Sequence, residues 1–209
     1  MNNINQILDY MNELFVNPAC ELNYNTDYEL LIAVVLSAQA TDKKVNKTTA
    51  VLFNKYRSIK DLSESNILDL NEILKPLGMY NKKAIYIKQI AIKLHDEYKD
   101  IVPNDREALE ALNGVGRKTT NVVMGILFNE PCIAVDTHVM RVSKRLGLVK
   151  NTANVLTIEK KLTNIINKDL LVRSHYQFVL FGRYYCKAIK PECSTCKLKD
   201  ICIYEKKHL

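Results

Sequence analysis

Leu112-Asn113-Gly114-Val115-Gly116-Arg117-Lys118 lies between two stretches of helical periodicity. The first stretch contains Ala108, Leu109 and Leu112. The second contains Val122, Val123, Ile126 and Leu127, again on one helix face. Two glycines in so short a connection let the backbone bend without a Cβ penalty and approach a ligand closely. The turn ends where a helix begins, so free N–H groups and the positive end of the helix dipole point outward. That arrangement binds phosphate. It is blind to base sequence, as backbone contacts to a nucleic acid should be. Taken alone, G-V-G is a weak signal, because many helix turns use two glycines.

Outward from this turn the chain continues as helix. Residues 5–15 place Ile7, Leu8, Met11, Leu14 and Phe15 on one face. Residues 28–40 are apolar all round, as in a central buried helix. Residues 43–56, 61–68, 70–74, 82–98, 105–112, 117–128, 137–146, 157–166 and 173–185 keep the helical period. Asp136 reads as an N-cap, and Gly147 follows the helix that Asp136 begins. No alternating strand run with hairpin turns appears, so the expected class is all-α.

The chain has 209 residues, enough for one or two small domains, and its 47% hydrophobic content can fill a packed core. Its formal charge of +7 favours a polyanionic partner, with a solvated basic surface as the plain alternative. The N-terminus, Met1-Asn2-Asn3-Ile4, lacks a basic segment followed by an apolar stretch, so no signal peptide is expected. The longest apolar run, Leu30 to Leu36, is too short to span a bilayer. The expectation is a soluble, cytoplasmic monomer with no membrane role. Disulfides are then not expected, which leaves the cysteines for other work.

Cys186, Cys193, Cys196 and Cys202 are spaced C-x6-C-x2-C-x5-C, and four thiolates so close in sequence suit one metal centre. Structural zinc usually shows two C-x2–4-C pairs separated by a longer insert, whereas only one short pair exists here. A cubane cluster offers four iron corners, each needing one thiolate, so uneven spacing is natural to it. On the residues alone, zinc and four unrelated core thiols stay open as alternatives. Cys20 and Cys132 lie outside this set and read as buried free thiols.

The cysteine spacing resembles that of the endonuclease III family of DNA-repair glycosylases. So does the helix-hairpin-helix sequence L-x-G-V-G-R-K-T-x-N-V-V from Leu112 to Val123, and the segment Val135-Asp136-Thr137-His138. One departure stands out. The family's turn usually reads L-P-G-V-G, and here Asn113 replaces the proline. The resemblance covers nearly the whole chain. It implies two helical lobes: a six-helix lobe over residues 20–131, and a second lobe joining residues 1–19 to 132–209. It implies a [4Fe–4S] cluster on Cys186, Cys193, Cys196 and Cys202, structural in role. The implied partner is double-stranded DNA containing damaged bases or abasic sites, which would also associate the protein with the nucleoid. The implied activity is base excision of oxidised pyrimidines with strand cleavage by β-elimination.

The same resemblance assigns residues. Lys118 falls on the family's nucleophile. An amine that displaces a base at C1′ and remains as a Schiff base must be neutral near pH 7. A helix N-terminus, the neighbouring Arg117 and partial burial would each disfavour the ammonium form. Asp136 falls on the catalytic aspartate, where a carboxylate can stabilise a cationic sugar. His138 and Arg141 would position phosphate, with capping and packing as their plain reading. Gly114, Gly116 and Arg117 would meet the DNA backbone, and Lys187 and Lys190 could touch phosphate. A base must leave the stack before C1′ can be reached. Two segments match the family's gap fillers: Leu36 to Asp42, where Gln39 would meet the orphaned base, and Leu77 to Asn81, where Met79 would wedge between bases. A rival, the adenine-mismatch glycosylases, lacks the lysine and carries a further C-terminal domain. This chain has Lys118 and runs only seven residues past Cys202. A non-catalytic DNA-binding or electron-transfer iron–sulfur protein is the reading from a different class.

Overall fold

A computed structural model describes residues 3–205. Residues 1–2 and 206–209, the outer ends of the expected second lobe, lie outside the described residues. Among the described residues there are eleven α-helices, one 3₁₀ turn at Lys168–Leu170, and no strand. No helix among them is long and apolar enough to cross a membrane. Two compact units divide the chain. One is Glu21–Phe128, and the other combines Met1–Cys20 with Asn129–Leu209.

The first unit forms around α2 (Asp27–Leu36), in which every residue from Glu29 to Leu36 is buried. An all-apolar helix needs neighbours on every side. Here α3 (Asp42–Lys55), α6 (Tyr80–Tyr98) and α8 (Arg117–Leu127) supply them. The shorter α4 (Ile59–Ser63) and α5 (Ile67–Leu74) pack on α6, and α7 (Arg106–Glu110) packs on α8. Two boundaries differ from the periodic reading. The helix expected over 28–40 stops at Leu36, where the Ser37 hydroxyl turns back onto the Val34 carbonyl at 2.7 Å and competes with helix continuation. The helix expected over 61–68 starts earlier and breaks. Ser58 and Asp61 form a capping box that opens α4 at Ile59, and Asn66 caps a new helix at Ile67. Caps outweigh hydrophobic period in fixing these ends.

The second unit packs α1 (Ile4–Leu14), α9 (Thr137–Arg145), α10 (Val155–Ile165) and α11 (Leu171–Tyr184) around Ile7, Met11, Val139, Ile158, Phe178 and Phe181. α9 and α11 approach closely at Gly182. A Cβ built there would stand 2.8 Å from the His138 Cβ, nearer than real contacts permit. Gly182 therefore lets the first turn of α9 lie against α11. Arg173 and Gln177 tie α11 to the N-terminal helix, through the Val16 carbonyl at 2.9 Å and the Asn12 side chain at 2.8 Å.

Candidate functional site

In the first unit the hairpin turn is closed by the Val115 N–H donating to the Leu112 carbonyl at 3.1 Å. Its third residue, Gly114, has φ +80°, as a type II turn requires. A Cβ at Gly114 would lie 2.5 Å from the Tyr86 ring, so the protein's own packing also demands glycine there. Gly116 is different. It is the N-cap of α8 with ordinary extended backbone, φ −114° and ψ 177°, and a Cβ built on it would meet nothing within 4 Å beyond its immediate chain surroundings. Its N-cap position suits glycine, but no steric crowding demands it. Open space at a helix N-terminus is where an external anion's backbone can approach.

Arg117 and Lys118 are the first two residues of α8, and both are exposed. Thr120, Asn121, Val122 and Val123 on the following turn are buried. The partial burial expected for Lys118 is therefore absent. At the second helical position its side chain leaves the core face, which begins at Thr120.

Gln39 and Met79 lie in two other loops of this unit. Both are non-glycine residues in the left-handed region, with φ +55° and +57°. Such conformations cost roughly 1–2 kcal/mol each and collect at functional positions. Met79 is 49% exposed, which argues against a gap-filling core role. Gln39 is exposed as well. The loops touch at Gly78, where a Cβ would sit 3.9 Å from the Gln39 carbonyl. Lys83, absent from the sequence expectations, is only 3% exposed. Its ammonium donates to the Ala38 carbonyl at 2.8 Å, and burial lowers its pKa from the ordinary lysine value. The signal was available, because Lys83 falls on the stripe of Ala84, Ile87, Ile90, Ala91 and Leu94 that faces the core.

In the second unit Asp136 is half-buried and caps α9, its Oδ1 accepting from the His138 N–H at 2.9 Å and the Val139 N–H at 2.8 Å. Both cap bonds use one oxygen, so Oδ2 takes no part in the cap. Arg141 is committed within the fold. It donates to the Gly182 carbonyl at 2.6 Å and the Cys186 carbonyl at 3.0 Å, and lies 3.1 Å from His138 Nδ1. These contacts match the plain packing reading of Arg141 and His138. Lys187 reaches Glu192 at 2.6 Å, while Lys190 is exposed with φ +49°.

All four predicted cysteines line one cavity together with Phe181, Tyr185, Pro191 and Arg145. Arg145 spans the start of the loop, donating to the Cys186 sulfur at 3.4 Å and the Lys187 carbonyl at 2.7 Å. Burial raises the pKa of the Cys186 and Cys196 thiols, while the Arg145 hydrogen bond pulls Cys186 the other way. Metal binding there must therefore displace protons. Among the described residues no three His, Cys, Asp or Glu side chains are placed to hold a single metal ion. Four thiols lining one cavity can offer one ligand to each corner of a cubane.

A helical hairpin whose second helix opens with an uncrowded glycine and an exposed lysine, in a chain that also carries a four-cysteine loop, defines a class of DNA-repair protein. Residues 32–168 match the HhH-GPD superfamily of base excision DNA repair proteins. Endonuclease III of Bacillus subtilis is 42% identical over 205 residues, covering 97% of this chain and 94% of that protein. Endonuclease III of Escherichia coli K12 is 42% identical over 202 residues, covering 97% and 95%. A solved structure of a trapped endonuclease III–DNA covalent intermediate superimposes with a TM-score of 0.93 at 46% identity, covering 96% of this chain and 94% of that one. This chain belongs to the endonuclease III family of the HhH-GPD superfamily.

Proposed function

We propose that this chain excises oxidised pyrimidines from duplex DNA through a Schiff base on Lys118, and then cleaves the strand by β-elimination. As a member of its family it is a base-excision DNA glycosylase and lyase. The observation that carries the residue assignment is the start of α8: an exposed lysine two residues after a glycine with open space around it. The covalent DNA intermediate of the similar protein supports an enzyme nucleophile.

The backbone N–H groups of Gly116 and Arg117, at the positive end of α8, hold phosphate and bring C1′ to Lys118. The neutral amine bonds to C1′ as the glycosidic bond breaks, and the base leaves with that electron pair and takes a proton. Opening of the sugar ring gives an iminium. Loss of a C2′ proton then expels the 3′ phosphate, and water releases the lysine. Asp136 Oδ2, which the cap leaves unused, offsets the positive charge that develops on the sugar. Gln39 and Met79 fill the gap left by the extruded nucleotide. Lys190 and Lys187 add phosphate contacts, and His138 and Arg141 hold the turn that carries Asp136.

The cysteine loop would hold a [4Fe–4S] cluster through Cys186, Cys193, Cys196 and Cys202, and when bound the cluster contributes four iron–thiolate bonds that fix the loop. The protein acts as a monomer in the compartment that holds the DNA. Borohydride trapping on a duplex with one abasic site tests the central claim. Wild-type protein yields a covalent adduct and Lys118→Ala yields none. An adduct with Lys118→Ala would assign the chemistry to another amine.

A further inference from the structure

Lys83 is a buried cation that the chemistry above does not use. It lies on the core-facing stripe of α6, is 3% exposed, and spends its ammonium on the Ala38 carbonyl at 2.8 Å. Burying an ammonium is costly, and a leucine or methionine would fill the slot without that cost. Its own backbone N–H donates to the Met79 carbonyl at 3.0 Å. One residue thus bonds directly to Met79 through its main chain and to the residue before Gln39 through its side chain. Both partners border a non-glycine residue in the left-handed region or are one. Strain of this kind persists where surrounding contacts over-determine it. A purely structural role is the competing explanation, since lysines often satisfy carbonyls past a helix C-terminus.

We infer that Lys83 is a positioning residue for base extrusion: its bond to Ala38 holds Gln39 in register with Met79, so that both side chains stand out from adjoining loops. The inference rests on the gap-filling roles proposed above for Gln39 and Met79. It differs from general fold support in one way, which is that its effect should vanish once Gln39 is gone.

The test uses the full chain with iron content matched between variants. Two substrates are compared: a duplex carrying one oxidised pyrimidine, and a single-stranded oligonucleotide carrying one abasic site. A charge-assisted hydrogen bond lost from the Ala38 carbonyl predicts that Lys83→Met lowers the ratio of duplex to single-strand turnover by about 10–100-fold. In a Gln39→Ala background the same change should lower that ratio by less than about twofold, because contacting residues that act as a unit are not additive. Lys83→Arg should recover part of the ratio. If Lys83→Met does not fold, Lys83→Gln, a shorter neutral donor, carries the same comparison. Equal loss on both substrates, or a full further loss in the Gln39→Ala background, overturns the inference and leaves a structural lysine. If Gln39→Ala alone leaves duplex turnover at the wild-type level, the gap-filling reading falls and the inference with it. If Gln39→Ala is deficient while Lys83→Met matches wild type, the inference alone fails.

Discussion

Replacing each hairpin glycine with alanine should give opposite phenotypes. At Gly114 the φ of +80° costs an alanine roughly 1–2 kcal/mol. The new Cβ would also meet the Tyr86 ring at 2.5 Å, so the ring must move. Gly114→Ala should therefore lower stability by more than about 2 kcal/mol, toward the upper range of single substitutions. At Gly116 the backbone is extended and the space around a Cβ is open. Alanine is a poorer N-cap than glycine by up to about 1 kcal/mol. It also restricts the unfolded chain, which returns about 0.4–1 kcal/mol. The two effects oppose, and Gly116→Ala should unfold within about 1 kcal/mol of wild type. Its cost should appear instead in DNA binding. Hydrogen bonds to a charged group contribute about 1.5–3 kcal/mol, so keeping a phosphate from one N–H weakens duplex binding by about 10–100-fold. Denaturant unfolding and equilibrium binding to undamaged duplex measure the two quantities separately. A Gly116→Ala protein that binds duplex like wild type would refute the argument that this glycine serves an external backbone.

Asp136→Asn should keep the α9 cap, since asparagine caps as well as aspartate, and so preserve stability while slowing base release. Asp136→Ala should lose both, with about 0.5–2 kcal/mol of stability measured by thermal unfolding. Purified protein should hold about four irons per chain; stoichiometric zinc from an iron-replete preparation would overturn the cluster assignment. Affinity for undamaged duplex should fall with a slope of about −0.9 in log K against log salt for each phosphate neutralised, and a flat response would contradict the proposed DNA partner. Asn113→Pro should leave stability nearly unchanged. Asn113 holds the second position of the turn, where proline is favoured and would add about 0.4–1 kcal/mol, but the change removes its 2.7 Å bond to Gln89, of similar worth.

The all-helical class was legible because the apolar period of 3.6 repeats through most of the chain, and α8 and α9 start within a residue of where period and cap placed them. The misses share a cause. Ser58, Ser65 and Asn66 end or begin helices by bonding backbone within a few residues, and such bonds leave no trace in the apolar period. The site was legible where chemistry restricts residue type. Four cysteines in a short span have few competing explanations, and they line one cavity. It was not legible where burial decides the role. Lys82 and Lys83 are adjacent and identical, yet about 100° of helix rotation separates an exposed cation from a buried one held to Ala38. Composition counts both as surface charge. Only the register of α6, fixed by Ala84, Ile87, Ala91 and Leu94, assigns the second to the interior. The same reasoning reversed corrects Lys118, whose expected burial fails because the core face of α8 begins two residues later at Thr120. A helix's register against its core thus decides which lysines are desolvated, and in this chain it buries Lys83 and leaves Lys118 exposed.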